Sequence, residues 1–140
     1  MTKAIEINPK QAHFYYIRAT AYAKKSDHDR AIADFTKAIE ADPKDADYYY
    51  FRGAAYANNN DHDRAIADFT QALVRNPKDG FTYVARARSY IAKNDPDRAI
   101  ADYKSVVELP AATEAMRRLQ ETARGRIQQL TSIRLAPAQK

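Results

Sequence analysis

The 140-residue chain reads as an all-α protein: a right-handed α-solenoid of antiparallel helix-turn-helix repeats with a C-terminal capping helix. Three observations predict this. Asp-His-Asp-Arg-Ala-Ile-Ala-Asp-Phe begins at Asp27 and at Asp61 and returns as Asp-Pro-Asp-Arg-Ala-Ile-Ala-Asp-Tyr at Asp95, a constant interval of 34 residues. Pro9, Pro43 and Pro77 keep the same interval, each shortly before an aromatic-rich segment. Between these marks, large and small apolar residues recur at helical spacing. A fixed period of roughly 20–50 residues marks stacked supersecondary units, none of which can bury its apolar face alone.

The elements follow in order. Thr2-Lys3-Ala4-Ile5-Glu6 repeats Thr36-Lys37-Ala38-Ile39-Glu40, so residues 1–11 read as the remnant of a preceding repeat's second helix plus a turn. Three repeats are then expected over 12–45, 46–79 and 80–110. In the second, Asp45 caps a helix from about Ala46 to Asn58, and Asp61 caps another from about His62 to Arg75. Pro96 replaces His28 and His62 in the third copy, which suits the first helical position behind an Asp95 cap. Asp29, Asp63 and Asp97 place negative charge in first turns, at the positive end of the helix dipole.

The apolar arcs repeat as well. Tyr15, Ala19 and Tyr22 face Ala31, Phe35 and Ala38; Tyr49, Gly53 and Tyr56 face Ala65, Phe69 and Ala72; Tyr83, Ala87 and Tyr90 face Ala99, Tyr103 and Val106. After Pro110 the period slips. Met116, Leu119, Ala123, Ile127 and Leu130 form one stripe, predicting a capping helix within 111–134 that runs from about Thr113 to Leu130 or beyond. Residues 135–140 read as a disordered tail.

These positions resemble the tetratricopeptide repeat, a 34-residue helix-turn-helix whose pattern is a large aromatic, a small residue and Tyr, then Ala, an aromatic, Ala and Pro. Three full units cover Ala12 to about Leu109. Tyr stands where the family often has Trp, and Arg18, Arg52 and Arg86 stand where it commonly has Leu. An arginine beside a packed face needs a partner or a route to water, because an unpaired desolvated charge is costly. Asp34, Asp68 and Asp102 recur once per unit and are expected to pair with these arginines, within a unit or with a neighbour. The alternative is that each Arg snorkels to water and each Asp is merely solvated.

Composition excludes several functions. There is no cysteine, hence no disulfide and no thiolate metal site, and no apolar run long enough to span a membrane. The first residues lack the basic start and apolar middle of a secretory signal, which leans toward a cytoplasmic chain without assigning a compartment. His13, His28 and His62 are the only histidines; His28 and His62 sit beside aspartates but read as helix starts, so no metal or cofactor is expected. Without a nucleophile motif or a glycine-rich phosphate loop, the chain is expected not to be an enzyme. The net charge of +5 is local: residues 1–110 carry 17 basic against 16 acidic side chains, and residues 111–140 carry 6 against 2. Nearly neutral repeats argue against the remote alternative of an RNA-reading helical array, and the C-terminal arginines leave anion contact as a minor option.

Function is placed on the arc of each first helix opposite the core. That arc holds His13, Tyr16, Ile17 and Thr20 in the first unit, Asp47, Tyr50, Phe51 and Ala54 in the second, and Phe81, Val84, Ala85 and Arg88 in the third. Seven of ten tyrosines belong to the repeat core, leaving Tyr16, Tyr48 and Tyr50. Exposed aromatics bury large area at little rotamer cost, which suits binding. The resemblance implies a non-enzymatic scaffold that takes a partner peptide or helix along an aromatic concave groove. It does not carry over the family's Lys/Asn/Arg carboxylate clamp, because the groove offers Tyr16, Thr20, Ala54, Phe81 and Ala85 instead. Tyr50→Ala and Phe51→Ala are expected to weaken capture and leave melting nearly unchanged. The alternative is self-association, including a homo-oligomer formed through an open N-terminal repeat edge.

Overall fold

The computed structural model describes residues 7–135. Residues 1–6 and 136–140, on which most of the expected remnant helix and the tail fall, lie outside the described residues. The described residues form seven α-helices and no strand: α1 (Pro9–Lys24), α2 (His28–Ala41), α3 (Ala46–Asn58), α4 (His62–Arg75), α5 (Gly80–Ala92), α6 (Pro96–Glu108) and α7 (Glu114–Leu135). They fall into two compact units, Met1–Pro77 with α1 to α4 and Lys78–Lys140 with α5 to α7.

In the first unit α1 packs on α2, α2 on α3 and α3 on α4. The helix boundaries of α3 and α4 are those the caps predict. Asp45 accepts from the Asp47 N–H at 2.9 Å, and Asp61 accepts from the Arg64 N–H at 3.2 Å. The start of α1 differs from the repeat. Gln11 stands where Asp45 and Asp79 cap the later first helices, and a glutamine side chain is a poor cap. The cap moves back to Asn8, which accepts from the Gln11 N–H at 3.2 Å, and Pro9 takes the first helical position. Pro9, Lys10 and Gln11, expected as turn, are therefore helix.

The loop inside each helix pair has one recurring form. Ser26, Asn60 and Asn94 adopt φ of 59°, 60° and 59°. In the first pair the Ser26 N–H donates to the Ala23 carbonyl and the Asp27 N–H to the Tyr22 carbonyl, both at 3.0 Å. The other two loops repeat this with Asn60 and Asp61, and with Asn94 and Asp95. This is the Schellman closure, and the residue that completes it is also the N-cap of the next helix. One aspartate thus ends one helix and starts another, which is why so short a loop reverses the chain.

Ala19, Ala31 and Phe35 form one core between α1 and α2, and Ala12, Ala38 and Tyr48 form another where α3 joins them. At Gly53 the approach is tighter still: a Cβ there would lie 2.9 Å from the Phe69 ring and 3.2 Å from the Ala65 carbonyl.

In the second unit α5 packs on α6, and α7 on both. Thr113 begins α7, accepting from the Met116 N–H through its hydroxyl at 3.1 Å. Ala123 is buried with Val84, Ala87, Ala99, Tyr103 and Val106, and Met116, Leu119, Ile127 and Leu130 pack against that cluster. Gly80 replaces the Ala12 and Ala46 of the earlier units, and a Cβ there would meet Met116 Cε at 2.8 Å. The buried Gln120, which the stripe pattern did not single out, donates through Nε2 to the carbonyls of Val106 at 3.2 Å and Leu109 at 2.6 Å. Val106 also accepts from the Leu109 N–H at 3.2 Å, and Leu109 lies just past the end of α6, so Gln120 ties α7 to that helix end. Leu135, read from sequence as tail, closes α7.

Candidate functional site

Each arginine of the repeat pairs with the aspartate of its own helix pair. Arg18 donates to Asp34 through Nε and Nη2 at 2.7 and 2.9 Å, Arg52 to Asp68 at 2.7 and 2.8 Å, and Arg86 to Asp102 at 2.9 and 2.6 Å. The forked guanidinium matches both carboxylate oxygens, which lysine cannot do. The hydrogen bonds from Arg18 hold the Asp34 carboxyl below its ordinary value, and the aspartates raise the pKa of all three arginines. These pairs lie on the flank of each helix pair and join its first helix to its second.

On the other flank, α1 and α3 bring an aromatic cluster together. The Tyr16 ring lies 5.5 Å from Tyr48, 5.5 Å from Phe51 and 6.2 Å from Phe35. Phe51 stacks on Phe35 at 6.1 Å with planes 17° apart, and Tyr50 meets Phe51 edge-on at 5.1 Å. Tyr50 also reaches the Phe69 ring at 5.8 Å, and His13 stacks on Tyr16 at 6.1 Å. Burial, with the carboxylates of Asp47 and Asp45 adding to it, raises the Tyr16 hydroxyl pKa.

Beside this cluster α1 and α3 part to leave a cleft of about 300 Å³. Its floor is Phe35 and Phe51, its walls are Thr20, Ala23, Ala54 and Ala55, and Lys24 and Asn58 stand at its end. Lys24 and Asn58 each lie four residues past Thr20 and Ala54, so extending the inner stripe by one turn would have found them. Phe35 could not be found that way, since it comes from the second helix through the gap that small residues leave.

The other expected residues are placed as follows. Ile17 is 54% and Phe81 52% exposed; His13, Asp47 and Arg88 are exposed; Tyr16, Thr20, Tyr50 and Phe51 are half-buried. Val84, read as groove surface, is buried in the core of the second unit. Tyr48, which the sequence assigned to neither the framework nor the inner arc, is buried at 6% against Tyr16. Tyr50 and Phe51 serve two roles. Their outer edges face water, yet their rings support Phe69 and Phe35, so truncating them removes core packing as well as groove surface. Melting is therefore expected to fall in those variants. Among the described residues no His/Cys/Asp/Glu group is arranged to hold a metal ion, and no helix is long and apolar enough to cross a membrane.

Comparison with known proteins agrees with this architecture. Solved structures of the same fold include the first TPR of Spaghetti (RPAP3) bound to HSP90 peptide SRMEEVD, at 22% identity over 95% of this chain and 100% of that one, with a TM-score of 0.82. The Sgt2 TPR domain from Aspergillus fumigatus aligns at 22% identity over 100% of this chain and 93% of its own, with a TM-score of 0.75. The Yersinia enterocolitica type III secretion chaperone SycD, in complex with a peptide of the translocator YopD, aligns at 16% identity over 91% and 97%, with a TM-score of 0.84. No curated protein sequence matches the chain. Family models described as Tetratricopeptide repeat match residues 3–46, 16–80 and 82–113. With those matches and the packed helix pairs together, the chain belongs to the tetratricopeptide repeat family.

Proposed function

We propose that this protein is a non-enzymatic interaction scaffold whose first unit binds a peptide or helix of a partner protein. The observation that carries the reading is the cleft between α1 and α3: about 300 Å³ of open, mainly apolar space, floored by Phe35 and Phe51, with the Tyr16 ring 5.5 Å from Phe51. A volume of that order accepts one large apolar side chain, and small walls at Ala23, Ala54 and Ala55 let the ligand backbone come close. His13, Tyr16 and Thr20 extend the contact along α1, and Asp47, Tyr50 and Phe51 extend it along α3. Phe81 and Arg88 offer exposed surface on the second unit, while buried Val84 has no part in ligand contact. That proteins of the same fold hold an HSP90 peptide and a YopD peptide supports peptide binding as the general mode.

The test is selection from a random peptide library on the intact chain, followed by titration of the selected peptides against Ala54→Leu. That substitution fills the cleft while removing none of the packing around it. Affinity is expected to fall at least tenfold, about 1.4 kcal/mol, with melting little changed. Selected peptides that bind Ala54→Leu as tightly as the parent would overturn the site, and a library that yields no binder would overturn the scaffold reading.

A further inference from the structure

The cleft of the first unit differs at its two ends. Its apolar walls run out at Lys24 and Asn58, the last residues of α1 and α3, and both side chains are exposed. Lys24 makes no ion pair among the described residues, because the acidic side chains that follow it are engaged elsewhere. Asp27 accepts from the Arg30 N–H at 3.3 Å and pairs with the Arg30 guanidinium at 3.5 Å, and Asp29 accepts from Asn59 Nδ2 at 3.5 Å. The other end carries the opposite sign. There the Tyr16 ring meets Tyr48 and Phe51, each at 5.5 Å, and the carboxylates of Asp47 and Asp45 act on the Tyr16 hydroxyl. An apolar slot thus lies between a negative field and an unpaired ammonium.

We infer that the cleft takes its ligand in one direction only, with an apolar side chain in the slot and an acidic side chain of the same peptide on Lys24 and Asn58. This rests on the reading of the cleft as a peptide site and names the chemistry that site selects. Lys24 lies one turn past Thr20, and Asn58 one turn past Ala54, a rise of about 6 Å. Two residues of an extended chain span about 6.6 Å and bring their side chains to the same side. The acid therefore belongs two positions from the apolar anchor, on one side of it. Placed on the other side, it would approach Asp47 and Asp45, and like charges there count against the reversed ligand. Lys24 supplies the charge, and the Asn58 amide donates to the carboxylate oxygen that Lys24 leaves open.

The test starts from synthetic peptides with amidated C-termini, selected on the intact chain and kept only where Ala54→Leu weakens them, so that the cleft is established first. These peptides should share an acidic residue two positions to one side of a large apolar one. Replacing that acid by lysine should weaken binding about fivefold, and Lys24→Glu should weaken the parent peptide to a similar degree. Pairing Lys24→Glu with the lysine peptide should restore most of the affinity. Lys25→Glu makes the same charge change one residue outside the lining and should cost less than about twofold, since an exposed charge off the site acts only through screened water. Melting should be unchanged in both variants, as both side chains are exposed. Cleft-dependent peptides with no acid in that register, full affinity in Lys24→Glu, no recovery in the swapped pair, or equal losses from Lys25→Glu and Lys24→Glu would each overturn this inference and leave peptide binding at the cleft standing. A library with no cleft-dependent binder would overturn both.

Discussion

The Arg52 guanidinium holds the Asp68 carboxylate through two hydrogen bonds of 2.7 and 2.8 Å and spends a third N–H on the Thr36 hydroxyl at 3.2 Å. Side-chain exposures of 19% and 6% show how little water either group retains. The pair thus ties α3 to α4 on one side and to α2 on the other. An arginine at a position where leucine is common is accommodated by that arrangement.

Breaking the pair should be worse than removing it. Asp68→Ala leaves a largely desolvated guanidinium and is expected to destabilise by about 2–3 kcal/mol, somewhat below the range for fully buried pairs. The double variant Arg52→Leu/Asp68→Ala should recover most of that loss. Urea denaturation of both single variants and the double, read as a double-mutant cycle, checks the coupling. An additive cycle would mean that the pair contributes nothing as a pair.

Acid should loosen the first helix pair through Asp34. Its folded pKa is lowered by the hydrogen bonds from Arg18, so its contribution is fully present above the unfolded carboxylate value of about 3.9 and is lost as pH falls through the lower folded value. Asp34→Asn should therefore be less stable than the parent at neutral pH, and the gap should close below about pH 4. Thermal melts of both proteins across that window measure it, and a gap that stays constant as pH falls would contradict the assignment.

The left-handed loop residues are a place to gain stability. Ser26 at φ 59° carries a Cβ in a conformation that glycine adopts freely, so Ser26→Gly should stabilise by about 1 kcal/mol. Asparagine tolerates the same conformation better, so Asn60→Gly should gain less. The order of the two urea midpoints is the readout.

Phe51→Ala should lower stability by about 2–4 kcal/mol, because the half-buried ring packs on Phe35 and Tyr16. A melting temperature close to that of the parent would return Phe51 to the role of pure groove surface and restore the simpler reading of the sequence.

How much of this was legible beforehand differs by feature. The 34-residue interval, the aspartate caps and the large-small alternation predicted α3 and α4 to the residue, because each rests on chemistry local to a few neighbours. The pairing of Arg18, Arg52 and Arg86 was legible for the same reason: a charge beside an apolar arc demands a partner, and one acidic position recurred at the right interval. The groove was less legible. Helical phase alone assigned Val84 to the groove, yet a helix packed on more than one neighbour buries more than one arc.

The sequence by itself determined the repeat, the helix boundaries and the framework residues, since periodicity and capping act over distances of one or two turns. Only the tertiary structure decided which side chains remain to meet a partner. The cleft requires Phe35 from α2 to show between α1 and α3. Exposure is a property of what packs against a residue, and no local pattern along one helix contains it.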